Sequence, residues 1–154
     1  MTGLSVRNLT RRKTPVFPFT RAAKAMLPDW EISLAFVTDD EALRLNKTLR
    51  RKSYIPNVLS YETGKRSGEI VICLAEAVRQ APEYEMTYPV FCGFLFIHAV
   101  LHLEGYRHGP TMDTKERERL ARFVPHYFDE TPNRNGNRHR NLTGEDSRRR
   151  SRLH

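Results

Sequence analysis

The stretch VFCGFLFIHAVLHL, residues 90–103, runs on as EGYRH to residue 108, and its reading decides the fold. It is apolar almost all round, unlike a surface helix with one apolar stripe. It is also too short for a bilayer, which needs about 20 such residues. It therefore reads as a helix buried at the centre of a domain. Gly105 is placed to end that helix in a left-handed conformation. His98 and His102 lie four residues apart, about 40° around the helix axis. Both imidazoles can meet one metal ion, and after the reversal at Gly105 His108 can return to it. Three neutral imidazoles with a fourth position held by water are the usual arrangement of catalytic zinc. One histidine in a buried helix is commonly just a hydrogen-bonded core residue. Three uncompensated rings would cost about several kcal/mol, so this pattern points to a metal.

The flanks supply the rest of a domain. Residues 3–9 read as a first strand and residues 19–27 as a short helix stopped by Pro28. Residues 31–37 (EISLAFV) are rich in strand formers. Thr38 to Glu41 form a capping box, in which the Thr38 hydroxyl accepts from the Glu41 N–H and Glu41 reaches back. The helix it starts runs to about Leu49, with Leu43, Leu45 and Leu49 as core positions. Residues 57–61 (NVLSY) read as a short strand, 64–68 as a turn, and 69–74 (EIVICL) as a buried central strand. Residues 75–80 are helical and 82–89 a loop. Residues 113–127 form a polar amphipathic helix with Leu120, Phe123 and Val124 facing in, ended or bent by Pro125. Helices and strands mix without strict alternation. The fold class is α+β: a single domain with a small mixed β-sheet packed on helices, its central buried helix carrying the metal histidines.

Composition bounds the function. The 154 residues suit one domain, and 39% hydrophobic with 29% charged residues exclude collagen, coiled coil and a wholly disordered chain. No run is long enough to span a membrane, and the N-terminus has no apolar signal region. Two cysteines, Cys73 and Cys92, make neither a disulfide framework nor a four-cysteine zinc site, which suggests a reducing cytoplasm. The net charge of +8 suggests an anionic partner. Residues 133–154 hold seven arginines against Glu145 and Asp146, giving +5, and residues 1–132 hold the other +3. The domain is therefore read as 1–132, with 133–154 a disordered basic arm suited to nucleic acid. A second cluster, Arg44, Lys47, Arg50, Arg51 and Lys52, leads directly into the strand at 57–61.

The histidine spacing also matches the metzincin peptidases. Those carry a glutamate directly after the first histidine, as general base. Here that position is Ala99, and Glu104 sits about 200° around the helix from His102. A peptidase needs a proton for its leaving amine, so Ala99 argues against peptide hydrolysis. A phosphodiester instead needs its charge neutralised, which a metal and an arginine can do.

The segment HAVLHLEGYRH, residues 98–108, resembles the H-G-x-L-H-L-x-G-Y-D-H signature of the YbeY family, bacterial zinc-dependent endoribonucleases. Leu45-Asn46, Arg50 and residues 57–61 resemble that family's L-N-x-x-Y-R and V-L-S-F block. Residues 68–73 (GEIVIC) resemble its central strand. The resemblance covers roughly residues 31–125. It implies one zinc ion per chain on His98, His102 and His108, with His98 and Arg50 as the catalytic residues and Arg50 holding the scissile phosphate. It implies cleavage of single-stranded RNA, maturation of the 3′ end of small-subunit ribosomal RNA, and ribosome quality control. Its implied partners are ribosomal RNA, the small ribosomal subunit and the GTPase Era. Lys47, Arg50 and Arg51 are the expected RNA-binding residues. Ala99 stands for the family's glycine, and Arg107 for its aspartate before the last histidine. A metzincin-like metallopeptidase and a ribosome assembly factor with structural zinc remain the alternatives.

Overall fold

A computed structural model describes residues 3–125, so the arginine-rich segment 133–154 and the division at residue 132 lie outside the described residues. In order, the elements are β1 (Gly3–Asn8), α1 (Phe19–Met26), β2 (Glu31–Val37), α2 (Asp39–Arg50), β3 (Val58–Gly64), β4 (Ser67–Cys73), α3 (Leu74–Gln80), a short 3-10 turn (Ala81–Tyr84), α4 (Tyr88–Leu103) and α5 (Pro110–Phe123). The four strands form one mixed sheet in the order β1-β2-β4-β3. β1, β2 and β4 run parallel, and β3 returns antiparallel to β4 through the turn at Lys65 and Arg66. This is the α+β domain expected.

The period of two along each strand divides the sheet into two faces. Ile32, Leu34, Phe36, Val58, Ile70 and Ile72 join one core with α1, α3, α4 and α5. Val37, Leu59, Val71 and Cys73 join a smaller one with Ala42 and Leu45 of α2. α4 and α2 thus pack on opposite faces. α4 is buried along nearly its whole length, from Phe91 to Leu101. No single helix among the described residues is long and apolar enough to cross a membrane.

Several elements differ from expectation. α4 starts at Tyr88, not Val90, because Pro89 sits in its first turn, where a missing N–H costs nothing. Pro110 likewise starts α5 three residues early, and α5 ends at Phe123 rather than near Tyr127, while Val124, half-buried, packs against the core as expected. The capping box is half formed. The Glu41 N–H donates to Thr38 Oγ1 at 3.4 Å, but the Glu41 carboxylate accepts from Arg44 instead of reaching back. The inner face of α2 is Ala42 and Asn46, whereas Leu49 is 47% exposed. Asn46 is tolerated inside because its Nδ2 donates to the Tyr54 carbonyl at 2.9 Å.

Gly93 shows how closely α4 is packed. A Cβ there would lie 2.2 Å from the Phe17 ring, which rests against the helix where any other residue would stand. Gly93→Ala should therefore destabilise the fold by about 1–3 kcal/mol despite alanine's better helix propensity. Urea denaturation checks this, and Phe17→Ala in the same chain should remove most of the penalty from the Gly93 change.

Candidate metal centre

The centre is assembled by three local features. α4 places His98 and His102 one turn apart, with their Nε2 atoms 3.1 Å from each other. The chain then reverses at Gly105, whose φ of +99° only glycine adopts readily. The reversal is held by the Gly105 N–H donating to the His102 carbonyl and the Tyr106 N–H donating to the Leu101 carbonyl, both at 3.0 Å. His108 returns with its ring centroid 4.6 Å from that of His102 and 5.1 Å from that of His98. One ligand atom from each of the three lies within 4.8 Å of the others. Neither cysteine belongs to this cluster.

The other ring nitrogens decide what the cluster can do. His102 Nδ1 lies 3.0 Å from the Tyr106 carbonyl oxygen, which can only accept, so Nδ1 carries the proton. His98 Nδ1 lies 2.5 Å from Glu116 Oε1 and by the same logic donates to that carboxylate. With both rings neutral, the two Nε2 atoms are bare lone pairs pointing at one another. Lone pairs at 3.1 Å repel, unless a cation sits between them. Two imidazoles on one tetrahedral zinc, at Zn–N about 2.0–2.1 Å, would hold their nitrogens about 3.3 Å apart. The residues present fit such an ion.

The environment favours neutral ligands. Burial, reinforced by His98 and His108, pushes His102 down to about 4, so its imidazole is uncharged at neutral pH. Exposure rises across the set: His98 is fully buried, His102 is half-buried and His108 is exposed. The open side of the cluster therefore faces solvent past His108, where a water or substrate oxygen can reach a bound ion. A buried structural site would be closed on that side.

Glu116 was not anticipated from the sequence, yet a signal was present. It stands between Met112 and Leu120 at spacings of four, in the inward stripe of α5, where an acid is out of place. It is 2% exposed, and it orients His98 as carboxylates commonly orient metal-binding histidines. Glu104 pairs with Arg119, a second tie between α4 and α5. Arg107 is exposed. Arg50 is committed locally: its Nη1 donates to the Tyr54 hydroxyl at 2.9 Å and to Asn46 Oδ1 at 3.4 Å. Lys47 and Arg51 are exposed at the end of α2.

Comparison with known proteins agrees with this geometry. The family described as Endoribonuclease YbeY matches residues 4–128. A protein of that name from Thiobacillus denitrificans is 37% identical over 117 residues, covering 69% of this chain and 80% of its own length. Another from Alkaliphilus metalliredigens is 35% identical over 108 residues, covering 63% and 70%. A solution structure of a Thermotoga maritima protein superposes with a TM-score of 0.61 at 19% identity, over 86% of this chain and 99% of that one, and so shares the fold.

Two outcomes follow from the geometry. Glu116→Gln keeps an acceptor but loses the charge opposite His98, so zinc affinity measured by competition with a chelating dye should fall about 10–100-fold. The second concerns pH. The unfolded His102 titrates near 6.5 and the folded one at about 4. Between these values the unfolded state binds the extra proton, so the metal-free protein should lose stability as pH falls from about 6.5 toward 4. Urea midpoints of chelator-treated protein across that range check it. His102→Gln should show a shallower decline.

Proposed function

The chain belongs to the endoribonuclease YbeY family, and on that premise we propose that it is a zinc-dependent endoribonuclease cutting single-stranded RNA. Its substrate in this reading is small-subunit ribosomal RNA, matured at the 3′ end, with a place in ribosome quality control. The small ribosomal subunit and the GTPase Era are the proposed partners. The observation that carries the reading is the pair of Nε2 lone pairs of His98 and His102 facing each other, with His108 completing the set beside open solvent.

A zinc ion, when bound, supplies Lewis acidity toward a phosphate oxygen and lowers the pKa of a bound water toward neutrality. The chain's own residues do the rest. Glu116 holds the His98 ring in one tautomer and orientation, and the Tyr106 carbonyl does the same for His102. His108, at the rim, leaves the approach free for an extended single strand. In this reading Arg50 is catalytic: its guanidinium holds the scissile phosphate and offsets the charge that builds up during attack. Lys47, Arg51 and the arginines of residues 133–154 follow the backbone on either side. Peptide hydrolysis is disfavoured, because Ala99 replaces the general base of metzincins and Glu104 is bound to Arg119.

The test is cleavage of a single-stranded RNA carrying a small-subunit 3′ end by identically purified parent and His98→Ala proteins. The parent should cut, and both chelator and His98→Ala should reduce cutting to background. Zinc should restore the chelated parent. Arg50→Ala should lower the rate about 10²–10³-fold, with Arg50→Lys in between. Equal cutting by parent and His98→Ala would mean a contaminating nuclease and would overturn the reading.

A further inference from the structure

The charge of the folded part is unevenly spread. Residues 1–28 contain Arg7, Arg11, Arg12, Lys13, Arg21 and Lys24 and no acidic residue. Residues 29–125 contain thirteen basic and fourteen acidic residues, a net of −1. The excess positive charge of the described residues is thus concentrated in β1, α1 and the loop between them. Elsewhere three arginines are neutralised by carboxylates: Arg44 by Glu41, Arg79 by Asp39 and Glu76, Arg119 by Glu104. Arg7, Arg11, Lys13 and Lys24 are exposed and form no ion pair among the described residues.

The loop that carries most of this charge is held in shape. Asn8 Nδ2 donates to the Arg12 carbonyl at 2.8 Å and to Thr14 Oγ1 at 3.1 Å. Asn8 Oδ1 accepts from the Thr10 N–H at 2.9 Å and from the Thr10 hydroxyl at 2.7 Å. Thr10 Oγ1 in turn accepts from the Arg12 N–H at 3.1 Å. Three adjacent cations are therefore presented on a fixed backbone, an arrangement that repels itself unless an anion is near. The Leu9 N–H donates to the Phe36 carbonyl at 2.9 Å, which holds the start of the loop at the end of β2 just before α2, and Arg12 lies near enough to Asp39 and Tyr88, in the first turns of α2 and α4, to favour their ionised forms. Tyr88 and His102 are fourteen residues apart on α4, so the loop lies roughly 20 Å from the histidine cluster.

We propose that the β1–α1 loop, with Arg7, Arg11, Arg12 and Lys13, is a second phosphate-backbone site, engaged only by RNA long enough to reach it from the metal centre. The proposal rests on the RNA reading above and adds to it a separate docking surface. A membrane surface fits less well. The apolar residues of α1, Phe19, Ala22 and Ala23, are spent on the core, and the exposed Leu9 and Val16 beside the loop bury too little to anchor it. Arginine's planar fork suits phosphate oxygens.

The test compares the parent with Arg11→Gln/Arg12→Gln/Lys13→Gln, three exposed changes whose folding is checked by circular dichroism. Binding of a fluorescent single-stranded RNA too short to span 20 Å, and of one several-fold longer, is titrated across salt concentrations. Each lost phosphate contact removes about 0.7 from the salt slope for a single strand. The triple variant should bind the longer RNA with a slope shallower by about 2, and bind and cut the short RNA as the parent does. An unchanged slope on the longer RNA would overturn the proposal, as would an unchanged slope coupled with lost binding to phosphatidylglycerol vesicles. If neither the parent nor His98→Ala cuts but the triple variant's slope on the longer RNA is shallower by about 2, the nuclease reading fails while the docking surface stands. If the parent cuts and the triple variant's slope is unchanged, only the docking surface fails.

Discussion

The burial of one imidazole, His98, sets the terms for the rest of the molecule. A fully buried ring in the middle of an apolar helix is costly unless both nitrogens are used. Its Nδ1 is satisfied by Glu116, which places an acid on the inward face of α5 and so fixes how α5 docks on α4. The reversal between those helices must then be short, and the strained Gly105 makes it so. His98 Nε2 is left facing His102. One hydrogen bond thereby couples helix packing, loop geometry and ligand direction.

The sheet is the platform on which this happens. α4 lies on the face formed by Ile32, Leu34, Phe36, Val58, Ile70 and Ile72, and α2 occupies the other. The close approach of Phe17 at Gly93 and the edge-to-face contacts of Phe19 with Phe36 and Phe96 hold α4 against the sheet. The histidines near its C-terminal end are therefore carried by a rigid element and need little reordering to take up an ion. The graded exposure from His98 to His108 then gives the cluster a closed floor and an open mouth.

Legibility followed the strength of the local signal. β4 and the helix around His98 are legible because a nearly uninterrupted apolar run admits few alternatives at that length. The inner face of α2 is only partly legible: Leu45 packs on the sheet as its pattern suggests, but Leu49 is exposed, the small Ala42 lets the helix approach, and Asn46 is buried by a bond to Tyr54 that no local pattern announces. The starts of α4 and α5 were set too late because proline signals a loop as well as a first helical turn.

The sequence by itself determined the buried helix, the one-turn spacing of His98 and His102, the glycine that reverses the chain, and the segments that form strands. These depend on residues within a few positions of each other, where covalent geometry and periodicity suffice. Only the tertiary structure decided that Glu116 and the Tyr106 carbonyl lock the two rings, that Arg50 bonds to Asn46 and Tyr54, and that Asn8 folds the basic loop around itself through Thr10, Arg12 and Thr14. The Glu116–His98 pairing depends on how α4 and α5 dock, which is settled by the sum of many weak contacts rather than by any one stretch of chain. The other pairings join residues two to six positions apart, but each needs a side-chain or loop orientation that no sequence period specifies.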